Sequence, residues 1–216
     1  MSDITAYWRG WTEKKLASFQ QNQGSSNHCG KFAAATILNM LYGTSLSGEM
    51  LVDWLNKRFL KGTPRYTIFG NNNGSFVFQS ANMLRKLGQL NELYPKVKIK
   101  RGDILTLQDN LRLGNVLSLV SVTYFQNKEP VIALGKNTSN SLGAVRQVGG
   151  HLMVLGAFDP HHQNEDGNPT PWGFLSSWPG KDHLYWVSDR DFTRSWGKLS
   201  LFNMVTVTRI MVQDSL

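Results

Sequence analysis

The stretch Asn27-His28-Cys29-Gly30-Lys31-Phe32-Ala33-Ala34-Ala35-Thr36-Ile37-Leu38-Asn39-Met40-Leu41-Tyr42-Gly43 decides how this chain is read. It is rich in alanine, contains no proline and ends on a glycine, so it predicts a helix from Asn27 to Tyr42 with Gly43 as its stop. Cys29, the only cysteine of the chain, falls in the first turn of that helix. A thiol acts as a nucleophile in its thiolate form, and the positive end of a helix favours that form. Taken alone, a cysteine in an alanine-rich helix is a small buried apolar residue. Its neighbours decide between the two.

Outward from this helix, Met50, Leu51, Trp54, Leu55 and Phe59 recur at helical spacing and predict a packing helix over Gly48–Phe59. Gly62–Ser75, with its Thr-Pro and Asn-Asn-Asn-Gly, predicts an extended loop, and a third helix is expected from about Phe76 to Leu87, stopping at Gly88. After Tyr94-Pro95 the pattern changes. Lys96–Lys100, Asn115–Phe125, Val131–Leu134, His151–Phe158, Trp172–Ser177 and Asn203–Val212 all carry strand patterns. Short helices fit at Asp103–Leu113 and at Asp189–Trp196, the latter opening on acidic residues that suit the helix dipole. A helical layer followed by mostly adjacent strands predicts an α+β fold, with a cleft where the two layers meet. The whole chain, 1–216, is expected to form a single domain, helical over about 1–93 and sheet over about 94–216.

Composition narrows the class. With 41% apolar and 18% charged residues, including seven Trp and eleven Phe, a chain of 216 residues can bury a full core. A single cysteine cannot form an internal disulfide, and Met1–Lys15 lacks the apolar run of a signal peptide. A reducing, cytoplasmic setting is expected, with signal-independent export as an effector left open. No stretch approaches the roughly 18 uninterrupted apolar residues of a membrane span, so no membrane partner is expected. The net charge of +8 raises the question of nucleic acid. The densest basic run, Lys96-Val97-Lys98-Ile99-Lys100-Arg101, alternates charged and apolar residues, which is the pattern of a half-exposed strand with its cations in water. No nucleic-acid partner is expected.

Three further segments bear on Cys29. Gln23 stands six residues before it, where a side-chain amide could aim its N–H at an oxyanion formed over the Cys29 N–H; losing one such donor typically costs about 10²–10³ in rate. Gly149-Gly150-His151-Leu152-Met153-Val154-Leu155-Gly156 puts a histidine at the start of an apolar strand, behind two glycines that permit close backbone approach. If His151–Phe158 and Trp172–Ser177 form a hairpin across the polar loop Asp159–Pro171, His151 and Ser176 come back side by side.

Gln23, Cys29-Gly30 opening a helix with Ala33-Ala34-Ala35, and the Gly-His-apolar-Gly run together resemble the papain-like cysteine peptidases. Within them the resemblance is nearest to the bacteriocin-leader-processing, or double-glycine, peptidases. It covers roughly 21–43, 148–158 and 174–197 and leaves Gly62–Ser141 unmatched. It implies a papain-like fold, with Cys29 as nucleophile, His151 as base and Gln23 as oxyanion donor. Members carry an Asn or Asp as the third residue, two positions before a shielding Trp. Here Trp178 matches the shield and Ser176 replaces the amide or carboxylate. A hydroxyl orients an imidazole less strongly and cannot stabilise imidazolium by charge. Asp159, Asp166 or Asp182 could bring a carboxylate from elsewhere. Phe192 and Trp196 resemble the closing helix of the double-glycine group, where such rings pack under the sheet.

The resemblance implies a cysteine peptidase or amidohydrolase acting on a peptide or protein through a Cys29 acyl-enzyme. A papain-fold acyltransferase or deamidase, and a binding module whose triad has decayed, are the alternatives. The Gly-x-x-x-x-Gly-Lys-Ser/Thr motif of transporter-linked relatives is absent, so a freestanding enzyme is expected. His161-His162-x-x-Glu165-Asp166 has metal-capable side chains but sits in a Pro- and Gly-punctuated loop, and reads as solvated. Neither a metal nor a cofactor is expected, and the oligomeric state is left open.

Overall fold

The computed structural model describes residues 4–24, 26, 28–58, 75–124, 149–177 and 183–210. The expected strand Val131–Leu134, residues 62–74 of the expected loop, Trp178 and Asp182 lie outside them.

After a short strand β1 (Ala6–Tyr7) and a 3₁₀ turn (Trp8–Gly10), helix α1 (Glu13–Ala17) leads into α2 (Cys29–Tyr42), the central helix of the fold. Every residue of α2 from Cys29 to Leu41 is buried. It stops because Gly43 adopts a left-handed φ of 71° and returns its N–H to the Asn39 carbonyl at 2.8 Å. Helices α3 (Gly48–Arg58) and α4 (Val77–Leu90) flank it. The second half alternates β2 (Pro95–Arg101), α5 (Ile104–Leu113), β3 (Val116–Tyr124), β4 (Gly149–Phe158), β5 (Trp172–Leu175), β6 (Tyr185–Val187), α6 (Asp189–Ser200) and β7 (Asn203–Arg209). Asp103 and Ser188 cap α5 and α6, accepting from the N–H of Thr106 and Asp191.

The strands form one antiparallel sheet in the order β2-β7-β3-β4-β5-β6, with β1 pairing β4. The N-terminal part is therefore not wholly helical, because β1 joins the sheet of the C-terminal part. The sheet lies against α2 on one side. On the other, α6 packs on β3 and brings Phe192 and Trp196 into a buried stack beside Trp172 and Phe174. One hydrophobic cluster joins the helices to the sheet. This is an α+β fold.

Two sequence expectations change. α4 does not stop at Gly88 but runs to Leu90. Gly88 is there for space: a Cβ would lie 2.5 Å from Pro95 Cδ and 2.7 Å from the Leu93 carbonyl oxygen, where the chain turns back into β2. The basic run forms the expected strand, β2, at the edge of the sheet, with Lys96, Lys98, Lys100 and Arg101 exposed and Val97 buried, but it is less than half buried because Ile99 faces solvent too.

Candidate active site

The β4–β5 hairpin forms with Val154 opposite Leu175 and Phe158 opposite Trp172, its register shifting at Gly156. β5 therefore ends beside the first residues of β4, and His151 Nε2 lies 2.8 Å from Ser176 Oγ. The main-chain N–H groups of Leu152, the next residue of the strand, of Gly30 and of Cys29 itself favour the ionised sulfur of Cys29. The start of the central helix thus abuts the start of β4, and a thiol, an imidazole and a hydroxyl gather at that junction. Cys29, His151 and Ser176 are all buried.

Gly30 makes the helix start possible. A Cβ there would meet Ser75 Cβ at 2.9 Å and Ser80 Oγ at 3.0 Å, so only a glycine lets α4 close on α2 next to Cys29.

The segment 20–23 straps this junction from outside. Gln20 accepts the Ser176 N–H on Oε1 at 3.0 Å and donates from Nε2 to the His183 carbonyl at 2.7 Å. Gln21 bridges the Leu46 carbonyl and the Gly48 N–H, tying the strap to the start of α3. Gln23 donates its main-chain N–H to the Ser177 carbonyl at 2.8 Å and accepts the Ser177 hydroxyl on Oε1 at 2.5 Å. Its Nε2 donates to the Ser26 carbonyl, because the loop folds back there, with Ser26 Oγ donating to the Gln23 carbonyl. One amide hydrogen of Gln23 is therefore used inside the loop and not aimed over the Cys29 N–H. Sequence reasoning missed Gln20 and Gln21; the amide run Gln20-Gln21-Asn22-Gln23 was the available signal.

The electrostatics differ from a preformed ion pair. Burial pushes the Cys29 thiol up, against the pull of the three N–H groups and of the Lys31 charge. Burial also pulls His151 down to about 3. At neutral pH the resting pair is a neutral thiol and a neutral imidazole. The helix-terminus argument predicts an easily ionised thiol, and desolvation outweighs it.

Asp159 and Asp166 are not the missing carboxylate. Asp159 follows the far end of β4, eight residues from His151, where it accepts from Thr5 Oγ1 and the His161 N–H. Asp166 lies in the exposed loop beyond it. In that loop His162 stacks on Trp186 at 3.9 Å and meets Thr170 Oγ1 at 2.8 Å, which occupies its ring in packing. Among the described residues no three His, Cys, Asp or Glu side chains come together as metal ligands would, and no helix is long and apolar enough to cross a membrane.

A helical layer headed by Cys29 is laid on an antiparallel sheet in which His151 stands near the start of β4. A solved structure from Bacillus anthracis, provisionally described as a C39-like peptidase, superposes on the chain with a TM-score of 0.59 at 12% identity, covering 97% of this chain and 100% of that one. The fold is accordingly the papain-like α+β fold. No protein-family model and no curated protein matches the sequence.

Proposed function

We propose that this chain is a cysteine peptidase or amidohydrolase that cleaves a peptide or amide bond through an acyl-enzyme on Cys29. The observation that carries this is the junction itself: the Leu152 N–H bears on the ionisation of Cys29, and the residue before Leu152, His151, has Nε2 2.8 Å from Ser176 Oγ. With Ser176 on Nε2, the other ring nitrogen, Nδ1, is the one to take the thiol proton as sulfur attacks the carbonyl carbon. The tetrahedral oxyanion receives the Cys29 N–H and the second amide hydrogen of Gln23. His151 then returns its proton to the leaving amine, and water releases the acid product. Because thiol and imidazole rest neutral, proton transfer accompanies attack, which is general-base catalysis and not attack by a standing thiolate.

The substrate is a peptide or protein, with no nucleic-acid or membrane partner, and the protein works in the cytoplasm without a cofactor. The double-glycine peptidases are the nearest match in motif. Incubating the wild type and Cys29→Ala with a diverse peptide library, followed by mass spectrometry, tests this. Cleavage by the wild type alone is expected; equal patterns from both proteins would sink it. The burial of Cys29 favours a second reading, a binding module with a spent site, and that reading predicts retention of peptides without cleavage.

A further inference from the structure

Lys31 is the second residue after Cys29, and only 2% of it is exposed. Among the described residues nothing accepts a hydrogen bond from its Nζ. The first turn of α2 has three occupied sides: Cys29 meets Leu152 of β4, Gly30 meets Ser75 and Ser80 at the start of α4, and Phe32 meets Gly48 at the start of α3. Residues two apart in a helix are turned by about 200°, so Lys31 falls between the α3 and α4 contacts, on the side away from the sheet. An ammonium buried there without a partner costs stability, and a methionine of similar length would avoid the cost. The charge is therefore placed where packing does not ask for it.

We propose that Lys31 is a positioning residue that acts through Cys29: its positive charge, carried across the first turn of α2, favours the ionised sulfur that forms during reaction. This deepens the reading of Cys29 as the reacting thiol and rests on it. Across the helix the two groups are about 8–10 Å apart, and at an effective dielectric constant of about 20 that distance is worth about one pH unit in the ionisation of the thiol. Other charges are poorly placed to substitute. On β4 the nearest titratable residue in sequence to Leu152 is His151, which burial keeps neutral down to about pH 3. From α4 it has Ser75 and Ser80, which do not titrate, and His28 precedes it on its own chain. On the helices flanking Lys31, Glu49, Asp53 and Arg85 are exposed and Lys86 is half-buried, so water screens them. The coupling runs both ways: burial lowers Lys31 to about 8, while an ionised Cys29 raises it.

The test is the rate of Cys29 alkylation by iodoacetamide at pH 7, below the Lys31 value of about 8, followed by intact mass, in the wild type, Lys31→Met and Lys31→Arg. It needs no substrate. Lys31→Met is expected to slow alkylation about 3- to 10-fold, while its thermal midpoint stays level or rises. Lys31→Arg, which keeps the charge, is expected to leave the rate at pH 7 where it is. An unchanged rate in a folded Lys31→Met would overturn the proposal, as would a loss in Lys31→Arg equal to that in Lys31→Met. The peptidase reading fails separately, on the absence of Cys29-dependent peptide cleavage; a slowed Lys31→Met without cleavage would keep the charge coupling and discard the enzyme.

Discussion

Ser176 is the residue on which the chemistry of the site turns. Its hydroxyl lies 2.8 Å from His151 Nε2 and its N–H is held by Gln20 Oε1. If Nδ1 is to take a proton, the neutral ring must carry its hydrogen on Nε2 and donate it to Ser176 Oγ. A serine can fix that tautomer, but it has no charge to offer the imidazolium that forms. Ser176→Ala would leave a buried N–H without its acceptor, a loss of about 1–3 kcal/mol that corresponds to roughly 5- to 150-fold in kcat/KM, provided cleavage is rate-limited by attack. Steady-state kinetics on a cleaved library peptide measure it, and a change confined to KM would assign Ser176 to binding. At this scale much was legible. The spacing of Cys29, His151 and Ser176 could be read from the chain because hairpin pairing is a counting rule. The role of Gln20 could not, since an amide in a polar loop shows its partners only once the loop is folded over them.

At the scale of elements, the sequence pattern recovered the helices and strands to within a residue or two at most ends, because apolar runs and their glycine or polar stops mark them. It failed where a residue answers to a neighbour instead of to its own helix. Gly88 was read as a helix stop, and it is a point of close approach to Leu93 and Pro95. Two effects oppose each other in Gly88→Ala. Helix propensity would gain about 1 kcal/mol, while a methyl 2.7 Å from the Leu93 carbonyl oxygen forces backbone apart at a cost of about 1–3 kcal/mol. The obstacle is backbone, which has no rotamer to move to, so the second effect wins. Gly88→Ala is expected to lower the urea midpoint with an unchanged slope; a raised midpoint would mean that the turn into β2 yields easily. The short β1, α1 and β6 escaped detection because elements of 2, 5 and 3 residues do not repeat their period even twice.

For the molecule as a whole, burying the site ties its chemistry to stability, and no sequence pattern announces that. His151 is neutral in the folded protein down to about pH 3, whereas in the unfolded chain it binds a proton near 6.5. Between those values the unfolded state holds more protons, so stability rises with pH through the window and is lost as pH falls from about 6.5 toward about 3. His162, lowered by its own burial, acts in the same direction. The loss from His151 should approach 1.4 kcal/mol per pH unit once the unfolded imidazole is fully protonated. Carboxylates add to acid unfolding only near and below their own range of about 4, so the interval from pH 6 to 5 isolates the histidines. Urea unfolding at pH 7, 6 and 5 is expected to give a falling free energy in the wild type and a flatter one in His151→Gln, whose amide cannot charge. If both proteins lose stability equally over that interval, His151 is hydrated in the folded state, and the neutral resting pair proposed for catalysis must be replaced by one in which the imidazole is already charged when the thiol reacts.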